Sequence, residues 1–151
     1  MADSKPGSDA TLNHCPACLR DLPVESLALL GDIPCPHCGQ LLWFVRKKVG
    51  SAVVLTLLPG LISGSDAVLR VGEVMSAAGK APRLILNLSH LRLMSSMFLA
   101  MLIVVYRRML AAERTLKLCG LSDDNLEVFR FTKLDWLFDI CVDEKQALVN
   151  S

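Results

Sequence analysis

The sequence predicts an α/β domain, in which a mixed sheet is covered by helices, preceded by a small cysteine-rich unit. The first observation is that, after Gly39, short apolar runs alternate with helix-like segments in the order β-β-α-β-α-β-α-β-α. The second is the central stretch 83–110, whose pattern predicts an apolar strand, a polar turn and a helix that is apolar on nearly every side. The third is a pair of CxxC motifs near the N-terminus.

Length and composition favour one domain of ordinary size with a thick core. The chain has 151 residues, 52% of them apolar, and a mean hydropathy of +0.44. Its longest apolar run, residues 97–106, is half of the roughly 20 residues that a membrane-spanning helix needs. Residues 1–13 are polar, predict a flexible tail and lack the apolar core of a signal peptide, so we expect a cytoplasmic protein without membrane insertion. The net charge of +1 gives no strong electrostatic case for binding nucleic acid.

Two cysteine pairs predict a structural zinc site. Cys15 and Cys18 form the first CxxC pair, Cys35 and Cys38 form the second, and sixteen residues separate the two pairs. Two thiolates at this spacing reach one ion from a tight turn, and two such turns complete a closed tetrahedral shell around Zn²⁺. The alternative is a set of reduced thiols, or a redox pair, in a chain that folds without metal.

The motifs define a predicted zinc ribbon at residues 14–45, followed by the α/β domain at 46–151. His14 and His37 flank the cysteines, and we expect both outside the metal shell because four thiolates already complete it. No open coordination position is left, so we expect one Zn²⁺ per chain with a structural role.

The first half of the α/β domain is predicted from apolar runs and from the residues that break them. In order, we expect a strand within residues 40–50, a turn at Gly50-Ser51 and an apolar strand at 52–58 that Pro59-Gly60 ends. We then expect a helix at 65–79, which begins at Ser65 and Asp66 and ends at Gly79, and a central strand at 83–88. The strand within 40–50 could belong both to the ribbon and to the edge of the following sheet.

The second half follows the same alternation. In order, we expect a central helix that begins at Ser95 or Ser96 and a strand at 114–119 that Gly120 ends. We then expect a helix from Ser122-Asp123-Asp124 to Phe131, a strand at 138–142 and a short helix at 144–149. Cys119 and Cys141 lie in strand patterns, and we interpret both as small core residues.

Ser95 and Ser96 stand directly before the apolar central helix and after the central strand. A serine hydroxyl at this position caps the helix by accepting a bond from an unpaired backbone N–H. The pair is therefore expected at the positive end of a helix and at the carboxyl edge of a sheet, where α/β proteins tend to place anions and partners.

Other features give little support for catalysis or nucleotide binding. No glycine-rich phosphate loop follows a strand, and neither a Ser-His-Asp nor a Cys-His arrangement can be proposed. His90 is interpreted as a turn residue. The basic run Arg46-Lys47-Lys48 could touch nucleic acid, but a solvated strand end is the preferred interpretation because three charges make a weak patch.

From about residue 53 to residue 148, the chain resembles a STAS domain, the fold of the bacterial anti-sigma-factor antagonists. The resemblance is carried by the apolar strand that Pro59-Gly60 ends and by the runs NLSHLRLMSSMFLAML, LKLCGL and LFDICVDEKQAL. Antagonists of this family typically have an Asp-Leu-Ser strand end and an Asp-Ser-Ser-Gly turn. The first serine of that turn is phosphorylated by a kinase that is also the anti-sigma factor.

Laid over this sequence, Asn87-Leu88-Ser89 matches the strand end and Ser96 falls on the phosphoacceptor. Ser95 takes the place of the family's Asp, Met97 that of the second Ser and Phe98 that of the Gly. The resemblance implies phosphorylation at Ser96 and partner binding through Ser95, Ser96 and Phe98, where Phe98 either fills space or presents an aromatic contact.

We therefore predict a non-enzymatic regulatory module for signalling and transcription regulation, which binds a protein partner such as an anti-sigma factor with serine kinase activity. The alternative is a degenerate STAS scaffold whose zinc ribbon recognises a protein or nucleic acid.

Overall fold

The computed structural model describes residues 13–15, 18, 21–22, 38, 43–58, 70–92 and 94–149. Within these residues, one sheet contains seven strands: β1 (Asn13–His14), β2 (Asp21–Leu22), β3 (Phe44–Val49), β4 (Ala52–Leu57), β5 (Arg83–Asn87), β6 (Thr115–Cys119) and β7 (Asp139–Cys141). The helices are α1 (Val71–Ala78), α2 (Ser96–Ala111), α3 (Asp123–Phe131) and α4 (Glu144–Val149), with a 3₁₀ turn at Leu134–Trp136. From β3 onward, the order matches the predicted alternation and confirms the mixed α/β sheet.

The strand order is β2-β1-β3-β4-β5-β6-β7. Strands β3 and β4 form an antiparallel hairpin whose turn uses Gly50 at φ 59°, whereas β4, β5, β6 and β7 are parallel. The parallel strands all end at one edge of the sheet, here called the carboxyl edge, and begin at the opposite amino edge. On the outer side of β3, His14 of β1 pairs with Arg46, so the chain around the first CxxC motif continues the sheet.

The two faces of the sheet are covered unequally. Helices α1, α2 and α3 bury the larger core, in which Leu84 and Leu86 of β5 pack with residues such as Val74 and Leu102. The opposite face carries smaller side chains that pack around Ala147 of α4: Ala52, Val54, Ile85, Cys119 and Cys141. The burial of Cys119 and Cys141 is what the sequence predicted for small core residues.

The predicted helix starts at the serines are observed. The Ser95 hydroxyl accepts a hydrogen bond from the Phe98 N–H at 3.1 Å, and the Ser122 hydroxyl accepts one from the Asn125 N–H at 3.2 Å. Helix α1 ends as predicted, with Gly79 at φ 59°. Its predicted start at Ser65 and Asp66 lies outside the described residues. The last strand is shorter than the predicted 138–142, since only Asp139–Cys141 pair with β6.

A polar network fixes α4 on the smaller core. Glu144 forms an ion pair with Lys47 of β3 at 2.6 Å, and its second carboxylate oxygen accepts a 2.6 Å hydrogen bond from the Asn87 side chain. Arg83 donates to the Leu148 carbonyl at the other end of the helix. Of the basic run 46–48, only Lys48 is exposed, because Lys47 is paired and Arg46 donates to the Ala77 carbonyl.

A buried side chain links the loop before α2 to α3. Asn125 is only 1% exposed, and its Nδ2 donates a 3.1 Å hydrogen bond to the Leu91 carbonyl. An unpaired backbone carbonyl in the core is costly, so this bond stabilises the loop that carries Ser95 and Ser96.

We expect Gly120→Ala to lower the free energy of unfolding by about 2–4 kcal/mol, because the turn after β6 requires glycine. Gly120 has φ 76°, and an added Cβ would lie 2.9 Å from both Asn87 Oδ1 and Ser89 Cβ. The matched control is Gly72→Ala in α1, where a Cβ meets nothing within 4 Å. Chemical denaturation should show a gain of about 0.5–1 kcal/mol for that control. Equal stabilities for the two variants would contradict the assignment of a tight turn at Gly120.

We expect Asn125→Ala to lower the free energy of unfolding by about 1–3 kcal/mol, because it leaves the Leu91 carbonyl without its partner. Hydrogen exchange should also speed up in the loop between β5 and α2. Glu127→Ala, an exposed site on the same helix, is the control and should change stability by less than about 0.5 kcal/mol. Exchange in the loop that is the same in Asn125→Ala as in the control would show that the side chain does not hold this loop.

Candidate functional site

The two predicted serines lie at the carboxyl edge, between the end of β5 and the start of α2, but they are in different environments. Ser95 is half-buried and extended, at φ −78° and ψ 164°, and its hydroxyl is engaged as the helix cap. Ser96 is exposed and is the first residue of the helix. The structure therefore presents the Ser96 hydroxyl to solvent while Ser95 holds the end of the helix.

The electrostatic setting of Ser96 suits an anion. It lies at the N-terminus of a 16-residue helix with no acidic residue in its first turn. Backbone N–H groups and the helix dipole favour negative charge at such an end, typically by about 0.3–1 kcal/mol. A phosphoryl group on the Ser96 oxygen would therefore be compatible with the folded domain.

The position of Phe98 differs from one part of the predicted contact surface. Its side chain is 1% exposed and belongs to the core beneath α2. It fills the space behind the serines and does not offer an aromatic contact, so the prediction of Phe98 as a partner contact is wrong. Of the three residues, Ser96 is exposed and Ser95 is half-buried.

The strand end that precedes the serines is fixed by Asn87. Its Oδ1 accepts a 3.0 Å hydrogen bond from the Ser89 N–H, and its Nδ2 binds Glu144. Asn87 thus joins the turn after β5 to the ion pair between Glu144 and Lys47.

Sequence reasoning missed two polar anchors of the site, the Glu144 network and Asn125. The sequence did contain a signal for part of the Glu144 network. Asn87 and Ile85 are two residues apart on β5, so they share the face that carries α4. No comparable local signal identifies Leu91 as the partner of Asn125.

A second candidate site is a cysteine cluster beside the start of β3. The sulfur atoms of Cys15, Cys18 and Cys38 all lie within 4.8 Å of one another. The Sγ atoms of Cys15 and Cys38 are 3.7 Å apart, and the Cys18 N–H donates to the Cys15 sulfur at 3.5 Å. In a tetrahedral site with Zn–S bonds of about 2.3 Å, two sulfurs lie about 3.8 Å apart. These three thiols can therefore bind one metal ion. The fourth predicted ligand, Cys35, lies outside the described residues.

The other described cysteines differ chemically from that cluster. Burial, together with the nearby Glu144 carboxylate, raises the pKa of Cys119 to about 12, and burial also raises the pKa of Cys141. Both thiols therefore stay protonated near neutral pH, which makes them poor ligands and poor nucleophiles.

No described helix has both the length and the apolar character needed to cross a membrane.

Comparison with known proteins agrees with the fold. The sequence model of the STAS domain family matches residues 47–147. A crystal structure of a candidate anti-sigma-factor antagonist from Thermotoga maritima superposes with a TM-score of 0.63 at 18% identity, covering 70% of this chain and 92% of that one. An NMR structure of that same protein, TM1081, gives a TM-score of 0.61 at 17% identity, over 80% of this chain and 97% of that one.

An anti-sigma-factor antagonist (STAS) domain protein from Planctomyces limnophilus gives a TM-score of 0.57 at 15% identity, over 70% of this chain and 95% of that one. No curated protein matches the chain at a significant level. The family match spans two thirds of the sequence, so the chain belongs to the STAS domain family.

Proposed function

We propose that this protein is a non-enzymatic regulatory module that binds a protein partner through its carboxyl edge, in the manner of an anti-sigma-factor antagonist, and is switched by phosphorylation at Ser96. The observation that carries the proposal is the exposed Ser96 hydroxyl at the first position of α2, at the place where the family has its phosphoacceptor. The proposed partner is an anti-sigma factor that is also a serine kinase, and the proposed location is the cytoplasm.

The switch is electrostatic. Phosphorylation adds about −1.5 to −2 charges at neutral pH. Within this domain, the start of α2 tolerates that charge. An acidic partner surface would repel the phosphate, and an apolar one would leave the phosphate charge uncompensated. In either case the complex would dissociate.

The family's Asp and Gly next to the acceptor are absent here, since Ser95 and Phe98 take their places. Ser95 supports the helix end as a neutral cap, and Phe98 supports it from the core. These replacements change the shape and charge that a kinase would recognise. They are also the observation that favours the second candidate function, a STAS scaffold without the switch, whose ribbon recognises a protein or nucleic acid.

We further propose that Cys15, Cys18, Cys35 and Cys38 hold one structural Zn²⁺ in a ribbon formed by residues 14–45, ahead of a STAS domain at 46–151 and after a flexible tail at 1–13. The spacing of the described sulfurs supports a tetrahedral thiolate site. The ion would supply folding free energy to a unit that is too small for a core of its own.

The switch is tested on protein isolated from its own cells. We expect mass spectrometry to find phosphate on Ser96, and we expect Ser96→Ala to retain a protein partner that Ser96→Asp loses. Ser76→Asp is the matched control, because Ser76 is an exposed serine near the end of α1, away from the carboxyl edge, and this variant should retain the partner. Unmodified Ser96, together with equal partner binding by Ser96→Ala and Ser96→Asp, would favour the scaffold without a switch.

The metal is tested separately by elemental analysis. We expect about one Zn²⁺ per chain in the wild type and a loss of zinc in Cys15→Ser and Cys35→Ser. Cys141→Ala, which removes a buried thiol outside the cluster, should keep the metal. A wild-type protein that folds fully without bound zinc would contradict the ribbon.

A further inference from the structure

Large apolar side chains are exposed at the amino edge, opposite Ser96. Phe131 is 89% exposed, Trp136 85%, Val149 73% and Leu110 59%. They share this edge for a topological reason: helices α2, α3 and α4 begin at the carboxyl edge and end at the amino edge, and these residues lie at or just beyond the helix ends. Val142 at the carboxyl edge is as exposed, at 75%, but the two large aromatic side chains are both at the amino edge. Exposed apolar side chains that cluster usually mark an interaction surface.

The two aromatic residues are not needed by the core beneath them. Phe138 fills that place, with ring contacts to Tyr106 of α2 at 5.5 Å and to Phe129 of α3 at 5.8 Å. Between Phe131 and Trp136 the chain reverses through Lys133, which adopts φ 64°. Both side chains project from this turn into solvent.

The same edge is rich in basic side chains. In the described part of the chain, the exposed basic residues here are Lys48, Lys80, Arg107, Arg108, Arg130 and Lys133. The exposed acidic residues at this edge are Glu113 and Asp139; Asp139 is paired with Lys117 at 3.7 Å, and Arg130 is paired with Glu127, one turn back on α3, at 3.9 Å. The surface is therefore both apolar and positively charged.

We propose that this amino edge binds the surface of an anionic lipid bilayer. Trp and Phe enter the interfacial region of a bilayer, and Lys and Arg contact its phosphates while their stems lie along the apolar surface. Nucleic acid would satisfy the charges and could stack on the aromatic rings. It offers no apolar contact to Leu110 or Val149, whereas a bilayer offers the amino edge both an apolar medium and phosphates.

The proposal is independent of the switch at Ser96, because the two surfaces lie at opposite edges of the sheet. A domain that rests on a membrane by its amino edge presents Ser96 away from the lipid. Failure of one proposal therefore leaves the other unaffected.

The experiment uses the full-length protein with vesicles of phosphatidylcholine alone or mixed with phosphatidylglycerol. The chain has two tryptophans, and Trp43 is 2% exposed and bonded to Glu73, so it contributes a constant signal. We expect co-sedimentation with the anionic vesicles only, weakened by salt, together with a blue shift of the Trp136 emission and its quenching by brominated lipid.

The variants separate the two components of the surface. Phe131→Ser with Trp136→Ser should weaken vesicle binding at least about tenfold through lost apolar contact. Arg107→Glu with Arg108→Glu should also weaken vesicle binding at least about tenfold, through lost attraction to the anionic lipid. The matched controls are Val142→Ser and Arg92→Glu, exposed sites at the carboxyl edge, which should bind as the wild type does.

Three results would overturn the proposal. They are an absence of binding to anionic vesicles, binding without any change in Trp136 emission, and equal weakening by the variants and their controls. Stronger binding to single-stranded DNA than to anionic vesicles, with the same dependence on Phe131 and Trp136, would assign the edge to nucleic acid instead.

Discussion

Parallel strands impose a direction on this domain. Because β4, β5, β6 and β7 run the same way, a connecting helix must begin where one strand ends and finish where the next strand starts. The N-termini of α2 and α3 therefore lie at the carboxyl edge, and their C-termini lie at the amino edge. Helix α4 follows the last strand and runs the same way, since Asn87 donates to Glu144 at its start and Arg83 donates to the Leu148 carbonyl near its end. Helix N-termini favour hydroxyl caps and anions, whereas C-termini favour basic side chains. Ser95, Ser96 and Ser122 lie at one edge, and Arg107, Arg108 and Arg130 lie near the other.

At the carboxyl edge, the two consecutive serines have separate roles: Ser95 caps the helix, and Ser96 is the proposed modification site. A hydroxyl that caps a helix is oriented toward the backbone, and the Ser95 oxygen is held in this way by the Phe98 N–H. Ser96 makes no such cap and stays exposed. The proposed modification site can therefore change its chemistry without removing the bond that starts α2. The Asn87 turn and the Asn125 bond to Leu91 restrain the chain on both sides of the loop.

Much of the fold could be predicted because its signals are local. Helix caps at Ser95 and Ser122, the glycine turns and the alternating strand patterns each occupy a few consecutive residues. The polar anchors are not local: Lys47 and Glu144 are 97 residues apart, and Asn125 and Leu91 are 34 apart. Phe98 was misjudged for a related reason. A helix that is apolar on nearly every side does not reveal from its sequence which residues face the core.

The sequence also does not show which aromatic side chains stay exposed. Phe131, Trp136 and Phe138 lie within eight residues, and their sequence does not say which of them enters the core. That choice depends on Tyr106 and Phe129, which meet Phe138 only after α2 and α3 have packed on the sheet. Once Phe138 occupies the space, Phe131 and Trp136 stay largely exposed. Leaving two large rings in water forgoes burial worth about 1.5–3 kcal/mol for each. An apolar partner that covered the rings would recover this stabilisation. In the proposed membrane contact, the basic side chains around the rings favour a partner that also carries negative charge.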